Sequence, residues 1–254
     1  LITRVLTLVT ILESISQDRW YMLSDPGNTG VYNMERDRIL LEKSSQRRIK
    51  YPILRFYTFS EPTITIGHHQ KTGTLDIEKC NSEGLPIVVR PTGGRAILHS
   101  QEITYSVIIP PDHRLAKLSI GQSYFEISMG LIKGFRHLKM DPKFLQGEKG
   151  YIRNPSCFSS SSSFEIAHDG KKFVGSAQKR LNGAILQQGS ILLNNDYLRL
   201  AHFLNIPVDM ISEKSTSISN ILGYTPPRFT LEYSIKHGFE NILHAAFIPF
   251  SIET

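Results

Sequence analysis

Cysteine and tryptophan are scarce here, with two Cys and one Trp in 254 residues. Two cysteines cannot build a disulfide framework, so a reducing compartment, the cytoplasm, is the expected location. No apolar run reaches the roughly 18 residues that a membrane-spanning helix needs, so no membrane partner is expected. No recognition motif or concentrated basic stripe marks a nucleic-acid reader. No Cys/His spacing matches a zinc site, despite His68-His69 and His99, and internal repeats are absent. What is present is ordinary for a folded enzyme-sized protein. Hydrophobic residues make up 40% and charged residues 20%, beside 18 Gly and 13 Pro, proportions that exclude a disordered, fibrous or low-complexity chain. An excess of 29 Lys and Arg over 23 Asp and Glu gives +6, which steers acidic partners without selecting one.

The sequence begins at Leu1, and residues 5–12 form a short apolar run behind Arg4. A secretory signal would carry a stronger basic start and a small-residue cleavage site. Residues 1–19 therefore read as an extension or degenerate leader, and residues 20–254 as one catalytic domain. His68-His69 are expected at a pocket mouth or in a loop.

Hydrophobic spacing after the turn cluster at 25–28 predicts a helix to about Lys43. Residues 53–59 and 63–66 read as strands, 75–83 as a short helix closed by Gly84, and 86–90 as a strand. Two more β runs follow at 96–99 and 103–109, then the longest helix at 120–138, with Ile120, Tyr124, Ile127, Leu131 and Phe135 on one stripe. Residues 141–163, ending in five serines, read as an internal loop. Strands 172–181 and 184–193 flank Asn182-Gly183, the strongest short hairpin signal. Helices are expected at 197–204 and 231–247. Irregular alternation around one clear hairpin implies an α+β class with a mixed, largely antiparallel sheet packed by helices.

Three segments carry chemistry. Arg90-Pro91-Thr92-Gly93-Gly94-Arg95-Ala96-Ile97-Leu98-His99 joins two predicted strands. Paired glycines let backbone N–H groups converge on an anion or carbonyl oxygen, and Arg90 and Arg95 bracket them with positive charge. A basic β-turn is the plain alternative, and no Lys-Ser/Thr follows to make a P-loop. Cys157 lies in a polar loop, unlike Cys80, which ends a predicted helix as a structural residue. A free thiol is only a few per cent thiolate at neutral pH, so Cys157 as a nucleophile needs a cation or base nearby. Lys172 on the first hairpin strand is the candidate, with a solvated edge lysine as the other reading. Strand alternation groups Lys172 with Val174 and Ser176, and Phe173 with Gly175 and Ala177. Pairing through the two-residue turn sets Gly175 opposite Ser190 and Lys172 opposite Leu193. The small residues Gly175, Ser176 and Ala177 leave room for a ligand against the sheet.

Together these segments resemble the lipoate-protein ligase and octanoyltransferase family, whose catalytic fold is shared with biotin ligases. The match runs in order through Asn33-Met34 with Asp37, Leu54-Arg55-Phe56-Tyr57, Thr65-Ile66-Gly67, the Arg90 to His99 stretch, and Glu102-Ile103-Thr104-Tyr105-Ser106. It continues through Cys157-Phe158, Gly170-Lys171-Lys172-Phe173-Val174-Gly175-Ser176-Ala177-Gln178 and Leu186-Gln187-Gln188-Gly189-Ser190. The sequence departs from the usual pattern at Ser100, Ser156, serines 159–163, Arg36 and Arg38.

The resemblance implies a tunnel for a medium-length acyl chain and is strongest for the Cys-dependent, ligase-like octanoyltransferases. In that reading Cys157 takes an octanoyl group from octanoyl-acyl carrier protein as a thioester. A lysine of a lipoyl domain of a 2-oxoacid dehydrogenase, or of the glycine-cleavage H protein, then receives it. Lys172 is the pocket lysine; Arg90, Thr92, Gly93, Gly94, Arg95, His99, Gly175, Ser176 and Ala177 bind substrate; no metal or cofactor is required. The alternative is a ligase that activates free lipoate or octanoate with ATP and Mg, leaving Cys157 incidental. Against it stand the absence of an expected accessory domain after the hairpin and a loop with two glycines where that group more often has three.

Overall fold

In a computed structural model of the protein, which describes residues 18–70, 75–145 and 165–250, Asn182 and Gly183 both take positive φ, 46° and 84°. That backbone makes a tight two-residue hairpin whose twist matches its strands. The strands in chain order are β1 (Asp18–Asn28), β2 (Ile53–Phe59), β3 (Thr63–Ile66), β4 (Ile87–Val89), β5 (Ile97–His99), β6 (Glu102–Ile109), β7 (Lys143–Phe144), β8 (Ile166–His168), β9 (Lys171–Leu181), β10 (Ala184–Leu192) and β11 (Ala245–Ile248). The helices are α1 (Gly30–Ser45), α2 (Ile77–Ser82), α3 (Ile120–His137), α4 (Leu200–Phe203), α5 (Asp209–Ser212), α6 (Ile218–Leu222) and α7 (Arg228–Leu243).

One eight-stranded sheet runs β11-β1-β2-β6-β10-β9-β8-β7, and a three-stranded sheet runs β4-β3-β5. In the large sheet β1 is parallel to both β11 and β2, and the remaining pairs are antiparallel. The architecture is thus α+β with a mixed, largely antiparallel sheet. Helix α3 starts on a capping box, in which Ser119 and Gln122 satisfy each other's backbone N–H groups. With α7 it covers one face of the large sheet, around Trp20, Phe56, Tyr105, Leu131, Phe135 and Phe239. Each such side chain contributes about 1.5–3 kcal/mol on burial. Helix α1 covers the other face through Leu40 and Leu41 against Ile53, Ile108 and Leu186. The small sheet packs its Ile64, Ile66 and Leu98 against Leu192, Tyr197 and Leu200.

Three expectations need correction. Residues 25–28, expected as a turn, end strand β1, whose pairing shifts between Ser24 and Gly27. The expected helix over 231–247 starts at Arg228 and stops at Leu243, where His244 at φ 56° turns the chain into β11. The expected helix at 197–204 is a 3-10 turn over Asn195–Arg199 followed by α4. Arg36 and Arg38 are surface ion-pair formers, Arg36 with Asp25 at 2.9 Å and Arg38 with Glu35 and Glu42. Among the described residues, no helix is long and apolar enough to cross a membrane.

Candidate active site

The two sheets and α1 line a common cavity. It collects side chains far apart in sequence: Met34 from α1, Tyr57 from β2, Thr65 from β3, Arg90 and Thr92 from the Gly-Gly turn, Ile97 and His99 from β5, and Thr104 from β6. Hairpin β9–β10 supplies Gly175, Ser176, Ala177, Gln188, Gly189 and Ser190. Hairpin register explains this gathering. Gly175 pairs with Ser190 and Ala177 with Gln188, so small residues on one strand leave space beside polar ones on the next.

The Gly-Gly turn is built around Arg90. Its guanidinium donates to the carbonyls of Gly93 (3.0 Å), Arg95 (2.7 Å) and Thr65 (3.1 Å). Arg90 is 5% exposed, so this positive charge organises the loop from inside rather than facing solvent. Gly94 has φ 93°, a conformation that favours glycine. A Cβ at Gly67 would stand 2.1 Å from the Gly94 carbonyl oxygen, so β3 and the turn approach closely only because Gly67 lacks one. His68 adds a backbone bond to the Thr92 carbonyl at 3.0 Å. The His68 and His69 rings lie edge to face and are not among the described lining residues.

His99 is buried and stacked on Phe59 with ring centroids 4.1 Å apart. Its Nδ1 lies 2.7 Å from Glu102 Oε1 and its Nε2 2.8 Å from the Thr65 hydroxyl. With Nδ1 donating to the carboxylate, Nε2 accepts from Thr65, whose oxygen in turn accepts from Arg90 at 3.2 Å. Thr104 donates to the same Glu102 oxygen at 2.6 Å.

A second buried network ties α1 to the turn. Asp37 accepts from Arg55 (2.6 Å), Tyr57 (3.0 Å), Ser106 (2.8 Å) and Gln188 (2.5 Å). Gln188 in turn accepts the Thr92 hydroxyl at 2.9 Å. Burial and the adjacent Asp37 carboxylate push the Tyr57 phenol well above its ordinary range, so it stays protonated and donates.

Lys172 is 1% exposed and ion-paired with buried Glu165, which excludes the solvated-lysine reading. Its neighbours differ from those expected. Ile166 pairs with Val174 but Ala167 with Lys172, so Phe173 is an extra, unpaired residue that enters the core beside Val174. The bulge takes Lys172 out of simple alternation with Val174 and Ser176. Pairing with β10 ends at Val174 opposite Ile191, and the Lys172 backbone bonds to Lys214 and Thr216 instead of facing Leu193. Lys172 is not among the described cavity-lining residues. Cys157 lies outside the described residues, as does most of the loop expected at 141–163. Cys80 is buried, and burial raises its thiol pKa, which fits a structural role. Glu165, the partner of Lys172, is a residue that sequence reasoning missed, since no spacing rule links the two. Gln188 and Ser190 were within reach, because the hairpin register already set them opposite Ala177 and Gly175. Among the described residues, no group of three His, Cys, Asp or Glu side chains is placed to hold a metal.

Residues 29–239 match the family described as lipoyl protein ligase A/B catalytic domain. Octanoyltransferase LipM of Macrococcus caseolyticus is 34% identical over 252 residues, covering 93% of this chain and 91% of the relative. Octanoyltransferase LipM of Anoxybacillus flavithermus is 38% identical over 208 residues, covering 79% and 74%. Among solved structures, a lipoate-protein ligase A bound with ATP superposes with a TM-score of 0.71 at 22% identity, covering 93% of this chain and 90% of that one. A bi-partite lipoate protein ligase of Thermoplasma acidophilum, described with its E2 lipoyl domain, gives 0.71 at 19% identity, covering 92% and 88%. At those identities the two structures speak for the fold.

Proposed function

The chain belongs to the lipoyl protein ligase A/B catalytic domain family and is an octanoyltransferase of protein lipoylation; we propose that it works through a thioester on Cys157, without ATP. The observation that carries the reading is the cavity wall. Tyr57, Thr65, Thr92, Thr104 and Ser176 all line it, yet their hydroxyls are engaged by Asp37, His99, Gln188, Glu102 and Tyr105. With those polar atoms turned onto one another, carbon is left to face a ligand, which suits an alkyl chain.

The donor is octanoyl-acyl carrier protein. Cys157 Sγ, as thiolate, attacks the thioester carbonyl carbon; the carbonyl π pair moves to oxygen and returns as the bond to the carrier sulfur breaks. The proton lost by Cys157 passes through solvent to the departing carrier thiolate, and the Lys172 ammonium, fixed by Glu165, is the group proposed to favour the Cys157 thiolate. An acceptor lysine amine then attacks the same carbon, forms the amide, and expels the Cys157 thiolate, with the amine proton returning to sulfur. A thioester lies above an amide in free energy, so both steps run without nucleotide. Backbone N–H groups of Gly93 and Gly94 are candidate oxyanion donors. The acceptors are lipoyl domains or the glycine-cleavage H protein, and the +6 charge favours acidic partners.

The test is acylation of a purified lipoyl domain, measured by mass. Octanoyl-acyl carrier protein without ATP is expected to add one octanoyl group. Acylation that appears only with free octanoate, ATP and Mg contradicts the reading and favours a ligase.

A further inference from the structure

Ser190 breaks the pattern of the cavity. It is 1% exposed and lines the cavity from β10, yet its hydroxyl has no hydrogen-bond partner among the described residues. The other hydroxyls on the wall are engaged, as set out above. Its cross-strand neighbours do not bond it: Gly175 on one side has no side chain, and the Thr104 hydroxyl on the other donates to Glu102. A buried hydroxyl left without a partner costs free energy that an alanine would avoid, so such a group asks for an explanation.

We infer that Ser190 Oγ is a donor to the acyl carbonyl oxygen of the bound substrate. The inference rests on the octanoyl-transfer reading and deepens it. An octanoyl thioester brings one oxygen into the site, its carbonyl, and the rest of the chain is carbon that neither needs nor satisfies a hydroxyl. Ser190 is the described lining hydroxyl still free to donate. Its row, with Gly175, lies toward the Lys172 end of β9, two pairs along from the Ala177–Gln188 row that bonds Thr92 of the Gly-Gly turn. A carbonyl between those rows has Ser190 on one side and the turn on the other. As the carbon becomes tetrahedral and negative charge gathers on oxygen, the Ser190 bond strengthens, and the hydroxyl acts mainly on turnover.

Ser190→Ala separates function from stability. Octanoyl transfer from octanoyl-acyl carrier protein to a lipoyl domain is expected to fall in kcat by about 100-fold, as on loss of one oxyanion donor. KM should change little, and the thermal midpoint should hold or rise. Ser190→Thr, which keeps a hydroxyl on a strand, is expected to retain most of the turnover. Ala turning over at the wild-type rate overturns the assignment, because the hydroxyl then serves the reaction in no way. A lowered thermal midpoint in Ala also overturns it, since the hydroxyl then has a structural partner. A wild-type enzyme that transfers nothing, checked in the same assay, overturns the octanoyl-transfer reading itself and the assignment with it.

Discussion

Lys172 and Glu165 meet as an ion pair with both side chains buried, at 1% and 5% exposure. Glu165 precedes β8 and Lys172 lies on β9, and the bulge at Phe173 sets the position of the lysine. A buried pair gains little over a hydrophobic substitute, but losing one partner strands the other charge. Glu165→Gln is therefore expected to destabilise the fold by about 3 kcal/mol, read from the urea midpoint, and to slow transfer because Lys172 is no longer fixed. The double variant Glu165→Leu with Lys172→Met should recover most of that stability and none of the activity. Additive losses in the double variant would show that the two charges do not act as a pair.

Asp37 anchors the polar network behind the cavity, with Arg55 fully buried against it. Asp37→Asn leaves the Arg55 guanidinium with Asp25 as its remaining carboxylate. A loss of about 3 kcal/mol is expected, together with weaker octanoyl transfer, because Gln188 links Asp37 to Thr92. Unchanged stability in a denaturation series would contradict the network's role.

Gly189 lies directly under the Tyr105 ring, where an added Cβ would stand 2.3 Å from Cε1 and 2.6 Å from Ser176 Oγ. Gly189→Ala is expected to cost about 1–3 kcal/mol as overpacking and to crowd the cavity. Transfer rates measured with carriers bearing butanoyl, hexanoyl and octanoyl groups should shift toward the shorter chains. An unaltered chain-length profile would mean that this part of the wall does not touch the chain.

Burial pushes the Tyr105 phenol up to about 12, against the smaller opposing pull of its bonds with Gln187 and Ser176. The folded value lies above the unfolded one of 10.0, so the associated stability is present below pH 10 and is lost as pH rises toward 12. Two units correspond to something on the order of 3 kcal/mol. Ultraviolet titration should find this tyrosine un-ionised at pH 11 in the folded protein, and Tyr105→Phe should flatten the alkaline fall in stability. A phenol that ionises near pH 10 while the fold persists would contradict the burial argument.

Local signals were legible where local physics decides the structure. Asn182-Gly183 takes positive φ in any tight hairpin, and the register it sets put Gly175 opposite Ser190 and gathered the small residues of the cavity. Thr92 and His99 also line the cavity, while Gly93, Gly94 and Arg95 are not among its described lining residues. Non-local pairing was hidden. Strands β1 and β11 pair in parallel across most of the chain, and only tertiary contact turns Asp25-Pro26-Gly27-Asn28 into the end of a strand. The bulge at Phe173 leaves no periodic trace, so alternation misplaced Lys172 and gave no hint of Glu165. Arg90 lines the cavity, and that its donors also hold the loop's own carbonyls was not legible from charge alone.

The most direct measurement is intact mass after mixing the protein with octanoyl-acyl carrier protein and no ATP, beside a Cys157→Ala control. One octanoyl adduct on the wild type and none on the control is the predicted result. An unmodified wild type that acylates a lipoyl domain only when octanoate, ATP and Mg are supplied would contradict a thioester on Cys157.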